Sequence, residues 1–335
     1  MARAVYLSHP ASLAHATGPH PERPARITAI EDELGRRGWL GFDRRRSPAV
    51  DRDLVEAVHT PAHVDRIERL AAAGGAQLGL DTVVSPGSFE AALRAAGGAV
   101  ALVDELLDGS AATGISVHRP PGHHATRGQA MGFCLFNNVA VAARAALRRD
   151  EVDRVLIVDW DVHHGNGTND LFGATDEVMY VSIHESPLYP GTGPASDRGS
   201  GAGTGFTVNL PVGAGSGDEV FCSLVDDVVC DVARGYSPQL VLVSAGYDAH
   251  VADPLAGCRV TEAGFAAMTA TMRRLCEELG VPLGVVLEGG YALDALAGSV
   301  AATMEAMVGD PAPAGGSAGV HPVARAARER LGLGR

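Results

Sequence analysis

The sequence predicts one α/β domain, a mostly parallel central sheet of about eight strands with helices on both faces. Three observations carry this. Short β-branched apolar runs alternate with longer Ala-rich stretches from end to end, the pattern of successive β-α units. The runs are apolar throughout instead of alternating with polar residues, as strands covered on both faces require. No internal repeat and no shift in composition marks a second domain.

Strands are expected near residues 4–8 (AVYLS), 114–118 (GISVH), 155–159 (VLIVD), 178–183 (VMYVSI), 206–210 (FTVNL), 240–244 (LVLVS) and 283–287 (LGVVL). Ser85-Pro86 opens a helix that runs to about Leu107, because proline suits a first helical turn and Gly109 closes the last one. Further helices are expected near 137–149, 217–235, 261–280 and 292–307. Residues 1–309 form the main domain, and residues 310–335 follow as a Pro/Gly/Ser linker (DPAPAGGSAG) and a short basic helix, His321 to Leu331, packed on the same domain.

With 46% apolar and 20% charged residues, the chain is of the globular class and long enough to bury a substantial core. The best apolar stretch, Gly98 to Leu107, is cut by Asp104 and Glu105, so no membrane helix is expected. The start, MARAVYLSHP, has no basic segment followed by a long apolar one, and the expected location is cytoplasmic. A net charge of −13 repels phosphate backbones, which argues against direct nucleic-acid binding. All 27 basic residues are arginine, in keeping with a GC-rich coding bias. The five cysteines form no C-x-x-C pair and are odd in number, against both a disulfide framework and a thiolate zinc site. The thirteen histidines are more informative, because His123-His124 and His163-His164 are adjacent pairs.

In an open parallel sheet, ligands bind beyond the carboxyl ends of the strands. Five strands lead into polar segments there: RPPGHH (Arg119 to His124), WDVHHGNG (Trp160 to Gly167), His184, AGYDAH (Ala245 to His250) and EGGY (Glu288 to Tyr291). Asp161 and His163 are two apart, so their side chains share one side of an extended segment, and Asp248 can complete a three-ligand set. Three protein ligands leave positions open for water and substrate, the catalytic arrangement for a divalent ion. His123 and His124 follow the stiff turn Pro120-Pro121-Gly122 and suit acid-base work near neutrality, with Asp159 and Asn166 as candidates to orient their rings. Tyr291, after Gly289-Gly290, can donate to a developing oxyanion. The Gly-rich segment from Pro187 to Gly205 is a candidate site wall. Any one of these residues alone reads better as a helix cap or a satisfied core polar group; their shared placement at strand ends favours a site.

Taken together, HPERPARI (His20 to Ile27), RPPGHHA, GFCLFNN (Gly132 to Asn138), VDWDVHHGNGT, YPGTG, SAGYDAHVADPLAG and LEGGY resemble the zinc-dependent histone deacetylase and acetylpolyamine amidohydrolase family, with its arginase/deacetylase-like fold. The resemblance covers nearly the whole chain. It implies that Asp161, His163 and Asp248 are the zinc ligands, that His123 and His124 are the catalytic histidine pair backed by Asp159 and Asn166, and that Tyr291 polarises the carbonyl. Asn166 together with RPPGHHA looks like the class II branch, since class I members carry Asp there. The resemblance further implies structural potassium, one ion near Asp159, Asp161, His163 and Ser182 and another on carbonyls near Phe172, Thr175, Val178 and Phe206. It also places Gly132, Phe133 and Tyr189 on the walls of an acyl-lysine tunnel, with Asp81 in the segment that contributes a rim acid. Leu255 occupies the position where polyamine-preferring relatives carry an acidic gatekeeper.

The expected activity is removal of acetyl or another acyl group from lysine side chains, with an acylated lysine peptide or protein, or a small acetylated amine, as partner. Zinc is the expected ion, and the Asp-His-Asp set also admits Fe2+. Alternatives remain: an acetylpolyamine or other small-molecule deacetylase, an inactive acyl-lysine binding module, and an arginase-type binuclear hydrolase. The last would need extra carboxylates where this chain has Gly165 and His250. A homo-oligomer is compatible with all of them.

Overall fold

The structure is a computed structural model and describes residues 3–309 and 319–334. Eight strands form one sheet: β1 (Ala4–Ser8), β2 (Asp43–Arg46), β3 (Thr113–Ser116), β4 (Val155–Asp159), β5 (Val178–Glu185), β6 (Thr207–Val212), β7 (Leu240–Ala245) and β8 (Leu283–Leu287). Their spatial order is β2-β1-β3-β8-β7-β4-β5-β6, and every neighbouring pair is parallel. The seven expected strands are all present, with ends shifted by one or two residues.

The eighth strand, β2, reads DRRR and had no apolar signal because it lies at the sheet edge beside β1, half-exposed along its length. Charged side chains on such an edge oppose pairing with another chain. A separate antiparallel hairpin, Ala76–Leu78 with Thr82–Val84, was likewise not anticipated.

Successive strand residues point to opposite faces, so the sheet carries two cores. Tyr6, Leu156, Val158 and Val243 join one, under helices that include Ala25–Arg36, Glu262–Leu279 and Leu293–Val308. Val5, Leu7, Val155 and Ile157 join the other, under Ser88–Leu107 and Asn138–Ala146. Helix Ala25–Arg36 shows what holds these layers: Pro24 gives it no side-chain cap, but Ile27, Ile30 and Leu34 are fully buried. At about 1.5–3 kcal/mol per buried aliphatic side chain, that face outweighs the roughly 1 kcal/mol a cap contributes.

The expected helix from Ser85-Pro86 begins later, at Ser88, because the Ser85 carbonyl accepts the Ser88 N–H in a preceding turn. The expected helix near 217–235 is present with a wider π turn at Val225–Val229 in its middle. Pro322–Leu331 is helical and packs Ala324 and Ala327 into the first core. The linker expected before it falls on residues 310–318, outside the described residues.

Candidate active site

The five strands whose carboxyl ends carry polar segments, β3, β8, β7, β4 and β5, are contiguous in the sheet although scattered in sequence. One crevice therefore receives all five segments.

Asp161, His163 and Asp248 meet there. His163 Nδ1 lies 3.2 Å from Asp161 Oδ1 and 3.2 Å from Asp248 Oδ2. Backbone amides hold the carboxylates in place, Gly289 N–H on Asp161 Oδ2 at 2.9 Å and Val162 N–H on Asp248 Oδ1 at 2.9 Å. All three side chains are buried. Burial first, and then the charge of Asp161, push the Asp248 carboxyl up to about 7. A divalent cation among the three ligand atoms, which all lie within 4.8 Å of one another, would relieve that cost, so the donor set fits the expected metal. No third carboxylate is grouped with these ligands among the described residues, and Gly165 lies against the Asp159 carboxylate.

His123 and His124 lie beside this group with ring centroids 4.0 Å apart and planes tilted by 45°. Their environments differ. His123 Nδ1 lies 3.1 Å from Asp159 Oδ2, which also accepts the Tyr180 hydroxyl at 2.8 Å. Burial disfavours the His123 cation, but Asp161 and Asp159 outweigh it and hold the imidazole up to about 10. His124 Nδ1 instead faces Asn166 Oδ1 at 2.9 Å, and burial, then His123 and His163, hold this ring well below the usual histidine range. One ring is thus set up as a cation and its neighbour as a neutral base.

Tyr291 is buried beside Phe133, ring centroids 5.6 Å apart, with the Arg26 guanidinium 5.0 Å from its ring centroid. Burial keeps its phenol protonated, well above the ordinary range. Gly289 before it touches both metal-site carboxylates, and a Cβ there would run into Asp248.

Gly132 has φ +55 and packs on His124, where any Cβ would collide with the ring. Phe133 stands edge-on between His20 and Tyr291. Tyr189 lies edge-on to His124, 5.2 Å between centroids, so the start of the Pro187 to Gly205 segment does border the site. The rest of that segment is tied down elsewhere, Gly193 O at 2.9 Å from His184 Nε2 and Thr192 Oγ1 at 2.7 Å from His164 Nδ1. Asp81 sits at the hairpin tip with Oδ1 accepting the Thr82 hydroxyl at 2.8 Å, and Leu255 is half-buried. Ser182 pairs with Asp159 across β4 and β5. Phe172, Thr175, Val178 and Phe206 lie farther along, where Phe172 O accepts the Thr175 N–H and Phe206 O the Tyr180 N–H.

Two supporting residues, Glu288 and Arg26, have no role assigned from the sequence, and a third, Asp253, expected only as an acid able to recruit cations at the rim, is engaged by backbone amides. Glu288, at the end of β8, takes the N–H groups of Gly122 at 2.6 Å and His123 at 3.1 Å and the Ser244 hydroxyl at 2.7 Å, fixing the turn before the histidine pair. Arg26 donates to Glu288 O and Gly290 O, both at 2.6 Å, and pairs with Glu22, which also binds Arg119. Asp253 accepts the Tyr291 N–H at 2.7 Å. Placement at a strand end was a signal for Glu288; for the other two the partners are too remote in sequence.

The family model for the histone deacetylase domain matches residues 20–307. The chain is 40% identical over 288 residues to the histone deacetylase-like amidohydrolase of Pseudomonas aeruginosa, covering 85% of this chain and 75% of that protein. To a probable deacetylase of Archaeoglobus fulgidus it is 36% identical over 292 residues, 85% of this chain and 80% of that protein. Its fold superposes on the crystal structure of the HDA15 HD domain with a TM-score of 0.89 at 35% identity, covering 98% and 94% of the two chains. The chain belongs to the histone deacetylase family of amide hydrolases.

Proposed function

We propose that this hydrolase removes acetyl or other acyl groups from lysine side chains in peptides and proteins, in preference to acetylpolyamines. The observation that carries the substrate preference is at the rim. Leu255 offers no charge, the buried Asp253 carboxylate is occupied by three backbone amides, and Asp81 binds the Thr82 hydroxyl. A polyamine's second ammonium therefore meets no gatekeeper carboxylate at position 255, while Leu255 and the exposed Tyr189 and Leu80 can pack along a peptide.

Asp161, His163 and Asp248 would hold the divalent ion, zinc in this reading, which when bound supplies a Lewis acid for the amide carbonyl and acidifies a water. His124, neutral with Nδ1 on Asn166, takes the proton of the attacking water and later returns it to the leaving amine. His123, held as a cation by Asp159, stabilises negative charge without exchanging its proton. Tyr291 donates its phenolic hydrogen to the oxyanion. Gly132, Phe133 and Tyr189 wall the acyl-lysine chain and exclude water. Structural potassium belongs, in the same reading, to the groups around Asp159, Asp161, His163 and Ser182 and to the carbonyls of Phe172, Thr175, Val178 and Phe206. The five free cysteines suit the reducing cytoplasm.

The test is kcat/KM of purified zinc-loaded protein on an acetyl-lysine peptide, N-acetylputrescine and N8-acetylspermidine. A higher value for the peptide is expected; an advantage for either polyamine overturns the preference, and turnover of none overturns the deacetylase reading.

A further inference from the structure

Tyr291 stands on a backbone with little preference of its own. Gly290 before it has φ +117, a conformation open to glycine and to few other residues, and the helix Leu293–Val308 behind it starts at Ala292 without a side-chain cap. The direction of the phenol therefore depends on what holds the main chain from outside. On the glycine side the holders are Asp161, which accepts the Gly289 N–H, and Arg26, which donates to Gly290 O. On the tyrosine side Asp253 accepts from Tyr291 N–H at 2.7 Å and Ala292 N–H at 3.3 Å, both through Oδ2.

The other oxygen of the same carboxylate has a different partner. Pro254 turns the chain, and Leu255 N–H returns to Asp253 Oδ1 at 3.0 Å. One buried carboxylate thus fastens the segment bearing Tyr291 and the rim segment bearing Leu255. Asp253 itself lies on the loop after Asp248, and both of its carboxylate oxygens are taken by backbone amides.

We infer that Asp253 is a positioning residue that sets the phenol of Tyr291 and ties the tunnel rim at Leu255 to it, so that rim geometry and turnover are coupled through one side chain. The inference rests on the reading of Tyr291 as oxyanion donor. An asparagine at this position is nearly isosteric but has a single acceptor, so it must abandon either the Tyr291 side or the Leu255 side.

The experiment compares wild type, Asp253→Asn, Asp253→Ala, Tyr291→Phe and the double variant Asp253→Asn/Tyr291→Phe, all zinc-loaded and checked for ion content. Asp253→Ala removes the acceptors without any risk of a clash. Hydrogen exchange followed by mass spectrometry reads the amides of residues 288–296 and 253–257 directly; faster exchange in either segment of Asp253→Asn, and in both segments of Asp253→Ala, is expected. On an acetyl-lysine peptide, Asp253→Ala should lose kcat by about 10²-fold with KM little changed, the scale of a displaced catalytic group. The double variant should be no slower than Tyr291→Phe alone, since Asp253 acts through that phenol. Unchanged exchange, or a double variant whose loss is the product of the two single losses, overturns the inference. Full turnover by Tyr291→Phe would instead overturn the reading of Tyr291, while faster exchange in the Asp253 variants would still support Asp253 as the holder of that segment.

Discussion

His124 Nδ1 lies 2.9 Å from Asn166 Oδ1, and this contact decides the tautomer of the ring. The amide oxygen is an acceptor only, so Nδ1 carries the hydrogen and the Nε2 lone pair is left for the crevice. The amide nitrogen is turned away, towards the His124 carbonyl and Met131 Sδ. Replacing the amide by alanine frees the ring to rotate and to exchange tautomers. Asn166→Ala should lower kcat by about 10–100-fold, the usual cost of removing an orienting partner, with the divalent ion still bound. Steady-state kinetics with metal analysis on the same sample checks it.

Tyr291 provides a cleaner deletion, because its phenol is buried, protonated and next to the metal-site carboxylates. Tyr291→Phe should lower kcat by about 10²-fold or more and leave ion content at the wild-type level. Equal kcat in the two proteins would remove the hydroxyl from the chemistry.

Ion stoichiometry follows from the ligand count. Of the two buried groups of ligand-type side chains among the described residues, His123, Cys134 and Glu288 are already engaged, with Glu288 on backbone amides and the Ser244 hydroxyl and His123 on Asp159, so Asp161, His163 and Asp248 predict one tightly bound divalent ion per chain at full activity. A strong chelator should abolish turnover, and one equivalent of Zn2+ should restore it. Asp248→Asn should lose both the ion and the added thermal stability that a ligand bound only to the folded state confers. Two tight ions per active chain would contradict the assignment.

The part of the site that was legible in the sequence is the part built from strand ends. An apolar run closed by WDVHH or AGYDAH announces both the strand and the residues it presents, because the run must be buried and its end must leave the sheet. What was not legible depends on which strands become neighbours. Asp159 receives the Tyr180 hydroxyl only because β4 lies beside β5 in a register that puts Ile157 opposite Tyr180. Arg26 reaches the carbonyl of Gly290 across most of the chain length. Strand β2 was invisible for another reason: a half-exposed edge need not be apolar, and DRRR carries no period for a reader to detect.

The buried cluster of Glu22, Arg119, Arg26 and His15 beneath the site predicts a particular acid sensitivity. Burial disfavours the Glu22 carboxylate, but Arg119, His15 and Arg26 outweigh it and hold the group down to about 2, against an ordinary 4.5. A carboxyl depressed on folding contributes stability that is complete above about 4.5 and disappears as the pH falls towards 2. His15, held down to about 4 chiefly by burial, adds a loss of the same sign between 6.5 and 4, because the unfolded chain takes up its proton first. The contribution of this cluster to stability should therefore fall continuously on acidification from pH 6.5. Glu22→Gln should flatten the part below 4.5 and, by leaving two arginines buried without their counterion, cost about 3–5 kcal/mol near neutrality. Urea unfolding at a series of pH values measures both effects.

Rim charge offers the sharpest handle on substrate class. The Leu255 main chain is fixed by its N–H to Asp253 Oδ1, its side chain is half-buried, and the proposed function puts it at the tunnel rim. Leu255→Glu would place a carboxylate there without disturbing that hydrogen bond. In a partly solvated position, a carboxylate within about 4 Å of a second ammonium gives on the order of 1–4 kcal/mol, equivalent to roughly 5- to 10³-fold in kcat/KM before screening. Salt at physiological strength and the flexibility of both chains reduce this, so a shift of about 10-fold towards N8-acetylspermidine is the expected result. An acetyl-lysine peptide with no second cation near the rim should change little, or lose somewhat through the missing leucine contact. Raising the salt concentration should shrink the gain for the polyamine and leave the peptide value nearly unaltered. If Leu255→Glu instead depresses both substrates by the same factor, the side chain at 255 covers the rim without discriminating, and selection must reside elsewhere on the tunnel wall.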